Sequence, residues 1–285
     1  MTVEITAELV KTLRDKTNCG FMDCKKALQE TAGDLEAAVD YLRQKGIAVA
    51  SKRAERATSE GAIWAFVNAA GVLLEVNCES DFVAKTEAFQ RFGEALATQI
   101  AAAAPADVES LLVQPFQPQP KLTVQDYLNE IIGQLGENVR VRRFARFAGD
   151  GPLGAYIHHG GKIGVLLELA GATVTPESQA IAKDLAMQVA ATNPLAVSRE
   201  EVSPEEVTRE RAVYEAQARE SGKPANIIEK MVTGRLEKFY REVCLVEQPF
   251  VKNPDITVTQ LLKEASAKAG GSLTVKRFVR YQVGG

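Results

Sequence analysis

Few residues of this chain have the type and spacing that bond-making chemistry needs. His158 and His159 are the only histidines among 285 residues. Adjacent residues of a β-turn point their rings apart, and no acid-rich stretch adjoins them, so neither a shared metal site nor an acid–base dyad is expected. Gly160-Gly161-Lys162-Ile163 has the outline of a phosphate loop. However, Tyr156 stands where the first glycine belongs, and Ile163 where Ser or Thr would reach Mg²⁺. Of the four cysteines, Cys19 and Cys24 lie five apart while Cys78 and Cys244 are remote. Reduced, mostly buried thiols are expected rather than a disulfide framework or a zinc site. Neither a Gly-x-Ser-x-Gly elbow nor a Cys-His nucleophile pattern occurs. The expectation is no catalytic residue, no metal, no cofactor and no enzyme.

The chain offers contact chemistry instead. Asn77-Cys78-Glu79-Ser80-Asp81-Phe82-Val83-Ala84-Lys85 follows an apolar run, Val72 to Val76, that reads as a strand. Ser80 is a good N-cap, and Asp81 then falls in the first helical turn, where a carboxylate suits the positive end of the helix dipole. Phe82 in that turn either folds back onto the sheet or projects as an apolar peg for a partner. The loop Cys19-Gly20-Phe21-Met22 puts two large apolar side chains beside a glycine turn. Spacing favours the plainer reading, in which Phe21 and Met22 plug a helix junction. Nucleic acid is the rival partner, because Arg140, Arg142, Arg143 and Arg146 alternate with Phe144 and Phe147, and Lys276, Arg277 and Arg280 with Phe278 and Tyr281. Against it, the RNA-recognition strand signature needs glycines where this chain has bulky residues, and a sheet with one wet face accounts for the pattern.

Two related halves position these residues. Gly61-Ala62-Ile63-Trp64 leading to Gly71-Val72-Leu73-Leu74-Glu75-Val76 reappears as Gly154-Ala155-Tyr156-Ile157 leading to Gly164-Val165-Leu166-Leu167-Glu168-Leu169. Leu96-Ala97-Thr98-Gln99 returns as Leu185-Ala186-Met187-Gln188, and Gln114-Pro115-Phe116 as Gln248-Pro249-Phe250. Val141-Arg142-Arg143-Phe144 likewise returns as Val275-Lys276-Arg277-Phe278. A period this long means a duplicated domain rather than a solenoid. In each half two β-rich runs lead into an Ala-rich helix, and a later helix leads into a basic, aromatic strand. The order predicts an α+β fold in which a sheet covered on one face by helices occurs twice. Only the first half carries Asp81-Phe82. The fold therefore does not require the pair, and Phe82 reads as cargo on the scaffold.

The expected boundaries are 1–50 for a three-helix N-terminal module, 51–60 for a linker, 61–147 for the first core copy and 148–285 for the second. In the module, Thr6 caps the first helix with Ile5 and Val10 as a hydrophobic staple, Met22 to Ala32 forms a second helix stopped by Gly33, and Asp34 caps a third ending at Gly46. The second copy carries an insertion over about 198–243. Ser203-Pro204-Glu205-Glu206 opens a helix, Ser221-Gly222-Lys223-Pro224 breaks it, and Ile227, Ile228, Met231, Leu236 and Phe239 line the return helix. A net charge of −3 gives no global pull toward nucleic acid or anionic lipid. With no charged-then-apolar leader and no run long enough to span a bilayer, the chain reads as soluble and cytoplasmic.

These residues resemble the bacterial elongation factor Ts family along nearly the whole chain. The signatures are Leu13-Arg14 with Met22-Asp23-Cys24-Lys25-Lys26-Ala27-Leu28, Glu75-Val76-Asn77-Cys78 with Asp81-Phe82-Val83-Ala84-Lys85, Gly136-Glu137-Asn138, His159 with Ile163-Gly164-Val165-Leu166, and Gly234-Arg235 with Gln248-Pro249-Phe250. The resemblance implies a UBA-like N-terminal module, a duplicated core and a coiled-coil insertion. It implies exchange of GDP for GTP on elongation factor Tu, bound both with GDP and nucleotide-free, with no bond made or broken, no direct nucleotide binding and no membrane. Asp81 and Phe82 inherit the role of a peg between helices of the partner's G domain, with Val83 beside them. Arg14, Phe21, Met22 and Lys25 match N-terminal contact positions, with Phe21 where familiar members have methionine. Leu135 and Gly136 match a loop contact, His159 a contact in the second half, and Val251 a contact to a more distant partner domain, where Lys252 replaces an apolar residue. The chain stops at Gly285 where some members continue into a further helix, so the resemblance implies a smaller contact here. Family members differ in whether they dimerise, and a homodimer or a dimer of heterodimers stays open.

Overall fold

The structure, a computed structural model, describes residues 5–17, 19–171, 173–220, 222–269 and 271–285, with the backbone alone at 268 and 269. It is a mixed α+β fold. Three helices come first: α1 (Ala7–Thr17), α2 (Phe21–Glu30) and α3 (Leu35–Arg53). Thr6 Oγ1 accepts from the Leu9 N–H at 3.2 Å, and Asp34 accepts from the Glu36 and Ala37 N–H groups at 2.9 and 3.0 Å. Between α2 and α3, Ala32 and Gly33 take left-handed backbone, at φ 51° and 82°. Val10, Leu13, Cys24, Ala27, Leu28, Ala38 and Leu42 form the module's own core.

The third helix runs past Gly46 to Arg53, so its expected end at Gly46 is corrected and the first three residues of the expected linker are helical. Gly46 lies inside α3 because that helix crosses α7 (Val124–Leu135) there. A Cβ on Gly46 would come within 3.3 Å of the Asn129 carbonyl oxygen. Beyond the crossing, Val49 and Ala50 join the core of the first half, which favours helix over linker.

The first half continues with β1 (Glu60–Val67), β2 (Gly71–Cys78), α4 (Asp81–Ala84), α5 (Glu87–Ala103), α6 (Val108–Leu112), β3 (Pro115–Phe116), β4 (Gln119–Thr123), α7 and β5 (Val139–Phe147). The second has β6 (Leu153–His158), β7 (Ile163–Ala170), α8 (Pro176–Thr192), α9 (Pro204–Arg219), α10 (Ala225–Val243), β8 (Pro249–Phe250), β9 (Asn253–Thr257), α11 (Val258–Ala269) and β10 (Thr274–Gln282). Antiparallel sheets β1-β2-β5 and β6-β7-β10 have matching connectivity. Val72, Leu74 and Val76 point to Phe89, Phe92, Leu96 and Ile100 of α5, and Val165, Leu167 and Leu169 to Leu185, Ala186 and Val189 of α8. The alternate residues meet across the sheets: Ile63, Leu73 and Phe147 against Leu153, Leu166 and Tyr281. A Cβ on Gly71 would overlap Leu166, and one on Gly164 would overlap Ile63, so the glycine at or next to the start of each central strand sets how closely the sheets approach.

This face-to-face packing corrects the expected wet face. The pleat that sends Leu73 and Leu166 inward also sends Glu75 and Glu168 inward, leaving them 0% and 1% exposed. A buried carboxylate needs a counter-charge. A bulge in β5 sets Arg142 and Arg143 opposite Glu75, with Arg143 Nε donating at 2.7 Å and Arg142 an ion-pair partner at 3.9 Å. The equivalent bulge in β10 sets Lys276 and Arg277 on Glu168 at 2.8 and 2.7 Å. Arg143 then lies over the Tyr281 ring and Arg277 over the Phe147 ring, at 4.3 and 4.1 Å. Arg143 and Arg277 thus each bridge the two sheets.

Helices α9 and α10 pair through Ala218, Val232 and Leu236, with Tyr214, Ile228 and Met231 beside them. Val232 takes a seam position and Ile227, expected there, is exposed. Ser203 caps α9, accepting from the Glu206 N–H at 3.2 Å. Ser221, first residue of the expected break, lies outside the described residues.

Burial pushes the Glu168 carboxyl up, but hydrogen bonds and charge from Lys276 and Arg277 outweigh it and leave the carboxyl below its usual value. Because the folded value is the lower one, this stabilisation is fully present above the unfolded value of about 4.3 and is lost as pH falls through the folded value. Glu168→Gln is expected to lower stability by about 1–3 kcal/mol at pH 7, with the gap to wild type closing below about pH 4. Thermal unfolding of both proteins at the two pH values checks this.

Candidate functional site

Strand β2 delivers the chain to Ser80, whose side chain accepts from the Val83 N–H at 3.3 Å and opens α4. A four-residue helix is too short to stand alone, and neighbours hold both of its ends. The Lys85 N–H donates to the Phe82 carbonyl at 3.2 Å, Thr86 donates to the Val83 carbonyl from its N–H and its hydroxyl, and Gln90 Nε2 reaches the Ala84 carbonyl at 2.6 Å. At the N-terminal end, Glu137 accepts from the Ser80 N–H at 2.9 Å and from its hydroxyl at 2.6 Å. The expected helix after β2 is thus two helices, with Thr86 capping the second. The interval from Glu75 to Leu96 is four residues longer than that from Glu168 to Leu185, and four is the length of α4.

The short turn splits its side chains between core and solvent. Val83 and Ala84 are buried against the first-half core, while Phe82 is 79% exposed, the most exposed large apolar side chain described. Val83, named with the peg as a contact residue, is 8% exposed and anchors the turn to that core. Lys85 Nζ donates to Asp81 Oδ2 at 2.7 Å. That bond, with the charges of Lys85 and Lys162, holds the Asp81 carboxyl below its usual range.

Two other expected site elements lie beside α4. Leu135 is half-buried at the end of α7, and Gly136 ends that helix in left-handed backbone at φ 76°, turning the chain so that Glu137 faces Ser80. His159 is exposed at φ 56° in the turn after β6. The same turn aims Lys162 at the Glu60 carboxylate, and Glu60 pairs with Cys78 where β2 ends. The histidine rings, expected to point apart, lie side by side with centroids 5.9 Å apart and planes 27° apart, because His159 takes left-handed backbone. His158 Nδ1 is 2.9 Å from the Tyr156 hydroxyl. Among the described residues no group of three or more His, Cys, Asp or Glu is placed to hold a metal. Burial pushes the Cys78 thiol up to about 12, so it stays protonated.

The remaining residues form two separate patches. Arg14 and Lys25 are exposed on α1 and α2. Phe21 and Met22 are 47% and 70% exposed, which corrects the expectation that they plug a helix junction. They open α2, and the module's core closes without them. Val251 is 42% exposed at the turn between β8 and β9, where Gln188 Oε1 accepts its N–H at 2.7 Å. Lys252 next to it is paired with Asp184 at 2.7 Å. Sequence reasoning missed two supporting residues: Gln188, which holds the Val251 turn and whose repeat partner Gln99 binds the Gln117 N–H in the same way, and Glu137, which holds the start of α4 and stood next to an assigned glycine.

An exposed phenylalanine on a braced turn, with two further exposed apolar patches, is the surface of a factor that works by docking to another protein. The chain belongs to the elongation factor Ts family. The family model described as Elongation factor TS matches residues 79–285. Proteins named Elongation factor Ts are similar to this chain over 98% of its length and 93% of theirs. The one from Trichlorobacter lovleyi is 47% identical over 288 residues, and those from Clostridium botulinum and Clostridium novyi are each 45% identical over 284.

Phe82→Ala is expected to change stability by no more than about 0.5 kcal/mol, as for an exposed position, and Val83→Ala to cost about 1.5 kcal/mol through lost burial. Urea unfolding of the two variants separates peg from anchor.

Proposed function

We propose that this chain promotes release of GDP from elongation factor Tu by pushing Asp81 and Phe82 into the partner's nucleotide-binding domain. As a member of the elongation factor Ts family the chain is a translation elongation factor that serves guanine nucleotide exchange. The observation that carries the peg assignment is the 79% exposure of Phe82 on a turn whose neighbouring residues are buried. An aromatic side chain inserted between helices near the nucleotide displaces groups that hold Mg²⁺ and the phosphates. Losing that neutralisation weakens nucleotide binding. No bond is made or broken by the chain itself, no cofactor is needed, and the chain does not bind nucleotide directly.

Linkage sets the form of the mechanism. If the factor lowers the affinity for GDP, GDP lowers the affinity for the factor by the same ratio. A transient ternary complex can then lose either ligand, and the nucleotide pool decides the direction. Arg14, Phe21, Met22 and Lys25 contact the partner from the N-terminal helices, Leu135, Gly136 and His159 from beside the peg, and Val251 from the far end. In this reading the three helices are a UBA-like module on a duplicated core, α9 and α10 are a coiled-coil insertion, and the protein acts in the cytoplasm. Among the described residues no helix is long and apolar enough to cross a membrane.

The test is release of a fluorescent GDP from purified elongation factor Tu. Substoichiometric amounts of the chain are expected to accelerate it, and Phe82→Ala to lose roughly thirtyfold or more of that acceleration, the size of an interface hot spot. No acceleration by the unaltered chain would retire the exchange role, and a fully active Phe82→Ala would retire the peg.

A further inference from the structure

Glu137 and Asn138 lie outside the proposed contact set, yet their bonds converge on the residue that starts the peg. Both carboxylate oxygens of Glu137 are occupied by Ser80, at 2.9 Å from the N–H and 2.6 Å from the hydroxyl. Asn138, 5% exposed, donates its N–H to Glu79 Oε1 at 2.6 Å. Its amide donates to the carbonyls of Ala54 at 3.4 Å and Arg56 at 2.9 Å, where the chain leaves α3. One clasp therefore joins the start of α4 to the end of α3, the helix against which α1 and α2 pack.

The repeat separates what the fold needs from what it does not. Glu75 and Glu168 each hold two basic side chains, and Gln99 and Gln188 each donate to a proline carbonyl at 3.1 Å, so these bonds recur in both halves. The clasp does not recur. Glu137 and Asn138 align with Gly271 and Ser272, while Thr86 and Thr175 cap the equivalent long helices, so the four residues of α4 have no counterpart in the second half. The second half forms its sheet with no carboxylate at the position of Glu137.

We propose that Glu137, supported by Asn138, is a positioning residue for nucleotide exchange, fixing Ser80 so that Phe82 leaves the surface in one direction and in register with the N-terminal helices. This rests on Phe82 being the group that promotes exchange. The physical reason is population. A one-turn helix has little stability of its own, so its capping residue must be held in place, and a peg that is aligned only part of the time works at a rate reduced by that fraction.

The experiment measures GDP release from elongation factor Tu with Glu137→Ala and Glu137→Gln, each alone and combined with Phe82→Ala. The unaltered chain must accelerate release, and its failure would count against the exchange role itself. Given that, Glu137→Ala is expected to slow exchange roughly tenfold, as for loss of a charge-assisted hydrogen bond. Glu137→Gln, which keeps an acceptor for Ser80, should stay within about twofold of wild type. With Phe82→Ala present, Glu137→Ala should add nothing. Full activity of Glu137→Ala, or an equal slowing when Phe82 is already gone, would overturn the inference. Should Glu137→Ala fail to fold, Ser80→Gly removes the same hydroxyl bond at a cost to the cap of only a few tenths of a kcal/mol. The same Phe82-dependent loss is expected from it, and full activity would be equally fatal.

Discussion

Two three-stranded sheets meet face to face, so the central strand of each has no side in water. Every residue of β2 is buried, and all but the ends of β7. Apolar side chains fill both faces, and the one carboxylate that each strand sends inward is matched by two cations from a bulged neighbour. The arginines also cover aromatic rings of the opposite sheet. Charge pairing, bulge and ring contact are thus consequences of one packing choice, made twice.

That choice makes a platform with its helices outside, and the outward elements carry the proposed contact surfaces. The α4 turn leaves the end of β2, Val251 sits where Gln188 locks a small hairpin, and the N-terminal helices ride on α7 through the Gly46 crossing. In the proposed mechanism, which works by pushing, rigidity matters. A phenylalanine presented in one direction loses little conformational freedom on docking, so more of its burial is available to distort the partner. Asp81, held ionised by Lys85 and Lys162, carries its charge beside that ring.

Much of this was legible in the chain. The internal repeat predicted two sheets of like connectivity, Ser80 and Ser203 announced helix starts, and the missing counterpart of Asp81-Phe82 marked the pair as dispensable to the fold. Other readings failed for a common reason. Gly46 looked like a helix end, Phe21 and Met22 looked like plugs, and the basic strands looked half-wet. In each case periodicity told which residues share a face but not what that face meets.

The amino-acid sequence by itself determined the elements, their order and their duplication, because caps, turns and alternating apolar residues act over a few positions of chain. It also determined which half carries the peg. Tertiary structure alone decided that Phe82 points outward while Val83 points in, that Glu75 and Glu168 lie between sheets, and that Glu137 closes on Ser80 across 57 positions of sequence. Those outcomes depend on which surfaces meet, and a contact between residues far apart in the chain leaves no local pattern to read.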